Sequence, residues 1–124
     1  MKLFSLWICL AWMTIAMAGD YPRFVKVKAV HDGDTLTLID GTRARLWGVD
    51  APELAQPGGP EARDALTALV AAPVILITGD HGTSYHRYVV EMMVNGRDVG
   101  LEMIRSGMAW YSPCYAPHRN DYAW

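Results

Sequence analysis

The chain has 124 residues, of which 52% are hydrophobic and 19% charged, and a formal net charge of −2 at pH 7. This length indicates a single domain with one modest core. Proteins that bind polyanions through a broad basic surface carry an excess of basic residues, so the composition excludes that mode of binding and leaves local or metal-assisted contacts.

The first 18 residues have the pattern of a secretory signal peptide. Lys2 precedes an apolar run over residues 3–15, and Ala16-Met17-Ala18 is a small-x-small cleavage sequence. The run is short for a bilayer span, which needs roughly 20 residues, and an uncleaved membrane anchor is the alternative. The pattern predicts a periplasmic or secreted protein, with residues 1–18 removed, residues 19–124 as the mature domain, and no stable membrane association afterwards.

The first half of the mature chain alternates apolar and polar residues, as β-strands do. Residues 24–30, 35–39 and 42–49 are predicted to be three consecutive strands joined by short turns. Trp47 on the third strand is predicted to lie in the core. Pro52 lies beyond this strand, because proline cannot continue a central strand. These features predict a three-stranded meander.

The second half adds helices and two further strands. Residues 61–71 place apolar side chains on one helical face, and residues 98–106 are predicted to form a second, shorter helix. Residues 74–78 and 87–94 are predicted strands, separated by a polar loop over residues 79–84. Three strands, a helix, two strands and a helix follow the order of an OB-type barrel. The predicted class is therefore α+β, mainly β, with a five-stranded barrel.

Two carboxylates lie near the ends of the predicted strands. Asp34 ends the turn after the first strand, and Asp50 ends the third strand. Strands one and three both flank strand two, so these ends can meet at one rim of the barrel. Together with a backbone carbonyl near Ala51, the two carboxylates could hold a hard divalent cation. In isolation, Asp32 and Asp34 in the sequence DGD are more often turn residues than metal ligands.

Three further charged residues complete a set that suits phosphodiester chemistry. Glu53 follows Pro52 and is placed to orient a water molecule and to take its proton. Arg45 and Arg87 supply guanidinium forks that bind phosphate oxygens and offset the charge that grows in the transition state. Arginine–aspartate pairs in sheets are usually surface ion pairs, so it is the combination that predicts a phosphoryl-transfer site.

The same residues lie in a longer pattern that resembles the staphylococcal nuclease (thermonuclease) family. The pattern starts with V-x-DGDT-x-x-L at Val30 and continues with R-x-R-L-x-G-V-D-A-P-E to Glu53. It then includes YHR at 85–87, NGRDV at 95–99 and EMIRSGMAW at 102–110. The resemblance implies an OB-fold barrel that uses calcium to cut DNA and RNA phosphodiester bonds with little sequence specificity, leaving 3′-phosphate ends.

The resemblance also implies a role for each matching residue. Asp34, Asp50 and the Ala51 carbonyl would bind calcium, and Arg45, Glu53 and Arg87 would be catalytic. Tyr85 and Tyr115 would contact the substrate, and Asp32 would shape the turn behind the ligands. Because a strand must be splayed to reach such a site, single-stranded or frayed DNA and RNA are the expected substrates. We expect the protein to be a monomer.

Two departures from the family pattern leave alternatives open. Position 86 is histidine where the family usually has glycine, and a turn that needs a positive φ there would be strained. Family members continue into a C-terminal helix that the sequence up to Trp124 does not include. The alternatives to a nuclease are a non-catalytic OB-fold module that binds nucleic acid or protein, and a truncated, inactive fragment.

Overall fold

The computed structural model describes residues 21–114 and Ala116, so the predicted signal peptide and Tyr115 lie outside the described residues. The strands β1–β9 comprise Arg23–Val25, Val27–Val30, Thr35–Leu38, Arg43–Leu46, Val49–Asp50, Ile75–Ser84, Arg87–Val94, Arg97–Asp98 and Trp110–Tyr111. The helices are α1, Gly59–Leu69, and α2, Val99–Arg105. Within the described ranges, no helix is long and apolar enough to cross a bilayer.

Seven of the described strands form one sheet that curls round on itself. Its order is β1-β6-β7-β4-β3-β2, and β8 pairs with β7. β1 and β2 follow each other in the chain with only Lys26 between them, yet they lie at opposite ends of this order. β1 and β2 are therefore the two halves of one bent strand, and each half pairs at a different edge of the sheet. When they are counted as one strand, they form the five longer strands together with β3, β4, β6 and β7, as in an OB-type barrel. The predicted α+β, mainly β class is confirmed.

The core lies inside the curled sheet and beneath the two helices. Successive side chains of a strand point to opposite faces, so every second residue can turn inward. The inward positions are apolar and almost fully buried. They include Leu36, Leu38, Ala44, Leu46, Ile77, Val90 and Met92 on the strands, and Ala62, Leu66 and Met103 on the helices. Arg45 lies between two of these inward residues on β4, so its side chain is directed to the outer face.

The polar segment 79–84 is not the loop that the sequence predicted. It continues β6, which pairs with β7 as far as Ser84 and Arg87. The register shifts between Ile77 and Gly79 and again between Asp80 and Thr83, which marks irregularities that accommodate extra residues. This end of the hairpin is mostly exposed, and the strand is held by backbone hydrogen bonds to β7. Because its side chains are not buried on either face, the sequence shows no alternation of apolar and polar residues there.

Trp47 is not the core residue that the sequence predicted. It is half-buried, and its ring stacks on that of His81, with centroids 3.6 Å apart and planes 8° from parallel. His81 in turn lies 3.3 Å from the Glu91 carboxylate. Trp47 therefore covers the outer face of the sheet, on the same side of β4 as Arg45.

The β6–β7 hairpin turns through two residues with a left-handed backbone. Tyr85 has a φ of 49° and His86 a φ of 61°, and Ser84 pairs directly with Arg87. A two-residue turn of this kind needs a positive φ at both central positions, where a β-carbon is unfavourable. The histidine at position 86 therefore does occupy a strained position.

We expect His86→Gly to raise the free energy of unfolding by up to about 1 kcal/mol, because glycine adopts this backbone without a β-carbon clash. His86→Ala is the matched control, since it removes the imidazole but keeps the β-carbon, and it should bring no gain. Urea unfolding of both variants measures the difference. An equal gain in both would locate the effect in the imidazole and not in the backbone.

Candidate active site

The site begins at the turn between β2 and β3. Asp32 Oδ1 accepts hydrogen bonds from the backbone N–H groups of Asp34 and Thr35, at 3.0 and 2.9 Å. Such a side-chain-to-backbone turn fixes the direction in which the chain enters β3. Asp32 therefore lies in the turn directly before Asp34 and accepts two of its backbone hydrogen bonds.

Asp34 is the best-buried carboxylate of the site, with 6% of its surface exposed. Its Oδ1 accepts a hydrogen bond from the Thr35 hydroxyl at 2.9 Å, and its Oδ2 accepts one from the Ala51 N–H at 3.0 Å. The carboxylate therefore connects the turn before β3 to the loop after β5. Ala51 itself is buried, and the predicted use of its carbonyl as a ligand stays a prediction.

Gly33 allows this turn to approach its neighbours closely. A β-carbon on Gly33 would lie 2.6 Å from Ala51 Cβ and 2.7 Å from Ala62 Cβ. Carbon atoms pack best at about 3.5–4.0 Å, so the two loops would have to separate. Gly33 is therefore required at this position for its lack of a side chain.

We expect Gly33→Ala to lower the free energy of unfolding by about 1–3 kcal/mol, the usual cost of overpacking a close contact. Gly79→Ala is the control, because a β-carbon there would meet only the end of the flexible Glu91 side chain, at 3.3 Å. Thermal unfolding of the two variants should separate them clearly. Equal melting temperatures would show that the turn can move away at no cost.

Arg45 connects the two predicted metal-binding carboxylates. Its Nη2 lies 3.5 Å from Asp34 Oδ2 and 3.7 Å from Asp50 Oδ1. Its Nη1 donates to the backbone carbonyls of Val49, at 2.8 Å, and Leu46, at 3.2 Å. The structure thus brings Asp34 and Asp50, which lie on different elements, to a single guanidinium nitrogen.

Burial has the largest effect on the ionisation of Asp34. Loss of solvation raises the pKa of Asp34 above its ordinary value of 3.8, while the Ala51 hydrogen bond and the Arg45 charge act to lower it and the Asp32 charge adds to the rise. The net pKa is raised, so the ionised carboxylate is less favourable in the folded than in the unfolded chain. A further positive charge at Asp34 would relieve this cost.

Arg87 reaches the same place from the start of β7. Its Nη1 donates to Thr35 Oγ1 at 3.1 Å, and its Nε donates to the Ser84 carbonyl at 3.2 Å. Thr35 therefore joins the second arginine to Asp34, a role that the sequence reasoning missed because it treated the threonine of DGDT only as a strand residue. The Arg87 guanidinium carbon lies 5.9 Å from the centre of the exposed Tyr85 ring, which places the predicted substrate-contacting tyrosine next to it.

A groove of about 490 Å³ runs beside Asp50. It is lined by Asp50, Ala51, Pro52, Glu53, Gln56, Pro57 and Trp110. Glu53 is exposed, and its backbone N–H donates to Gln56 Oε1 at 2.7 Å. The groove therefore brings Glu53 near Asp50, and its role as a base stays a prediction.

Asp34 and Asp50 are the two carboxylates predicted as side-chain ligands of a cation, and their use as ligands stays a prediction. Among residues 21–114 and Ala116, no three His, Cys, Asp or Glu side chains converge closely enough to hold a metal. Asp50 has 63% of its side chain exposed, so it is open to solvent and to a ligand. The oxygen atoms of such a pair suit a hard cation, and the two nearby guanidiniums suit phosphate oxygens.

Comparison with known proteins identifies similar sequences. A profile of the family described as "Staphylococcal nuclease homologue" matches residues 43–123. A probable staphylococcal-like nuclease of Oryza sativa subsp. japonica is 32% identical over 88 residues, which cover 71% of this chain and 23% of the relative. Uncharacterized endonucleases of Haemophilus influenzae and Escherichia coli O157:H7 are 30% and 34% identical over 89 residues. Those matches cover 68% of this chain and 50% and 58% of the relatives. The chain therefore spans about a quarter of the rice relative and about half of the bacterial ones.

Proposed function

This chain belongs to the staphylococcal nuclease family, and from that premise we propose that it is a nuclease that hydrolyses phosphodiester bonds in DNA and RNA. We further propose that it requires calcium, that it has little sequence specificity, and that it acts as an exported monomer. The observation that carries the proposal is the Arg45 Nη2 atom in contact with both Asp34 and Asp50. It supports a single centre in which carboxylates and guanidiniums act together.

Asp34 and Asp50 would hold the calcium ion, with the Ala51 carbonyl as a third protein ligand. The fit rests on donor chemistry, because Asp34 is a buried carboxylate with a raised pKa and gains from a nearby cation. Calcium takes six to eight oxygen ligands, so positions remain for water and for a phosphate oxygen. When bound, the ion supplies positive charge that polarises the phosphate and lowers the pKa of an attacking water.

Arg45 and Arg87 would bind the phosphodiester. Guanidinium N–H groups donate hydrogen bonds to phosphate oxygens, and these bonds strengthen as negative charge builds on those oxygens in the transition state. Arg87 is attached through Thr35 to Asp34, so its guanidinium is held at a fixed place relative to the carboxylate. Preorganised donors of this kind stabilise the transition state without rearranging during the reaction.

Glu53 would act as the general base. Its carboxylate takes a proton from a water molecule while the water oxygen forms a bond to phosphorus. The bond from phosphorus to the 5′ oxygen breaks, and this oxygen leaves as a hydroxyl after taking a proton from solvent. The products would be a 3′-phosphate and a 5′-hydroxyl. The exposed position of Glu53 in the groove next to Asp50 supports this role.

A site that binds through phosphate oxygens reads little of the base sequence and weakens as salt rises. This property supports low specificity and action on both DNA and RNA. Single-stranded or frayed nucleic acid is the proposed substrate, because a splayed strand can follow the rim of the barrel. Export is supported by the signal-like pattern of residues 1–18.

The test is nuclease activity of the purified protein on a single-stranded oligonucleotide and its matched duplex, first with calcium and then with a chelator. We expect cleavage that stops on chelation, returns when calcium is restored, and is faster on the single strand. Undiminished cleavage with the chelator would remove calcium from the mechanism. A folded protein that binds the oligonucleotide with calcium but leaves it uncut would instead favour the non-catalytic binding module.

A further inference from the structure

Trp110 lines the same groove as Asp50 and Glu53, and 64% of its surface is exposed. It belongs to β9, which pairs with β5 so that Trp110 is directly opposite Asp50. Residues opposite each other in an antiparallel pair have β-carbons about 4.5–5.5 Å apart and face the same side of the sheet. The indole therefore lies on the same side of the ribbon as the Asp50 carboxylate.

The groove next to Trp110 has the size of a small-ligand site and a lining of mixed polarity. Its volume of about 490 Å³ falls within the usual range for ligand pockets. Pro52, Pro57 and the indole provide apolar walls, while Glu53 and Gln56 provide polar groups. Gln56 Oε1 accepts from the Glu53 N–H, so the amide nitrogen of Gln56 is left as the donor for a ligand.

We propose that Trp110 is a stacking platform for the base of a nucleotide that adjoins the scissile phosphate. This inference rests on the proposed nuclease function and names a binding site for its substrate. Bases stack on aromatic side chains through their faces, and all bases have such a face, so the contact adds affinity with little sequence preference. A base in a duplex is already stacked and paired, so this site selects unpaired strands.

A labelled oligothymidylate with one abasic tetrahydrofuran residue tests the proposal. Cleavage at each linkage is resolved on a sequencing gel, so linkages far from the abasic residue are internal controls. In the wild-type protein, we expect one linkage beside the abasic residue to be cut about 10- to 100-fold more slowly than the controls, because the stacked base is missing. Trp110→Ala should cut the control linkages more slowly than the wild type by a similar factor. In this variant, the difference in rate between the control linkages and the linkage beside the abasic residue (the abasic contrast) should mostly disappear.

Phe24→Ala is the matched control variant. Phe24 is an exposed aromatic residue of β1, with 76% of its surface accessible, and it lines a different groove. This variant should keep both the wild-type rate and the wild-type contrast at the abasic residue. Trp110→Phe, which keeps an aromatic face, should retain part of the contrast, and circular dichroism checks that every variant is folded.

A contrast of the same size in wild type and Trp110→Ala would overturn the inference, because the base would then be read elsewhere. The inference would also be overturned if the wild type cut all linkages equally and Trp110→Ala cut all of them more slowly, because Trp110 would then have a purely structural role. Both results leave the nuclease proposal intact, since the wild-type protein cuts. Failure of the wild-type protein to cut any linkage would overturn the proposed function and this inference with it.

Discussion

Glu53→Gln should lower kcat by about 10²–10⁴-fold, the usual contribution of a general base. The amide has the shape of the carboxylate but cannot take a proton from water, so the loss should appear in kcat and not in KM. Stability should be unaffected, because Glu53 is exposed and its contact with Gln56 uses the backbone N–H. Steady-state cleavage of a single-stranded oligonucleotide at saturating calcium measures both constants.

Glu61→Gln is the control for this variant. Glu61 is also exposed and lies in the first turn of α1, outside the groove that Glu53 lines. The same chemical change there should leave kcat close to that of the wild type. Activity of Glu53→Gln within a factor of about two of wild type would exclude Glu53 as the base, since any general base contributes far more.

Asp34→Asn should reduce calcium-dependent activity by at least about 100-fold, because even the partners of a metal ligand are each worth 10–100-fold. The same variant should be more stable than the wild type near neutral pH when calcium is absent. Burial raises the pKa of Asp34, so its ionised form destabilises the folded state, and the amide carries no charge. Asp34→Asn should thus lower the activity and raise the free energy of unfolding at the same time.

The pH dependence of this gain follows from the direction of the pKa shift. Below pH 3.8, the ordinary pKa of Asp34 in the unfolded chain, the carboxyl is protonated in both the folded and the unfolded state. The folded state then bears no cost of a buried charge, and its stability is at its full value. As the pH rises towards the higher native pKa, only the unfolded chain releases the proton, so the stability of the wild type falls. The advantage of Asp34→Asn should therefore widen from about pH 4 upwards and level off above the native pKa. Chemical unfolding across this range, with chelator present, measures it.

Calcium should reverse the order of the two proteins. A ligand that binds only the folded state adds about 2.7 kcal/mol at a concentration of 100 times its Kd. The wild type should gain stability with calcium, whereas Asp34→Asn should not. Asp64→Asn, a change at an exposed carboxylate of α1, is the control that should keep the calcium response. A calcium response in Asp34→Asn equal to that of the wild type would place the ion elsewhere.

The central part of the site could be predicted from the sequence because local signals and the family pattern agree there. The DGD turn and the alternation of β4 place Asp34 and Arg45 at one rim, and the proline after Ala51 ends the strand next to Asp50. Trp47 shows the limit of this reasoning. It is in phase with Arg45, so alternation directs it outward, yet its hydrophobicity suggested the core.

Other features depend on contacts between distant parts of the chain. The bond from Arg87 to Thr35 joins residues 52 positions apart, and the β5–β9 pairing joins Asp50 to Trp110. Neither pairing leaves a local pattern in the sequence. The strained backbone at His86 could be anticipated only because the resemblance indicated a glycine at that position.

The Arg45 guanidinium between the two carboxylates has a consequence for how the protein is made. It leaves the trio with one net negative charge instead of two, so like-charge repulsion between Asp34 and Asp50 is muted before any ion arrives. The folded chain can therefore keep the two carboxylates close together in the absence of an ion. On the proposed function, calcium would complete a site that is already assembled, so folding and activation would be separate events.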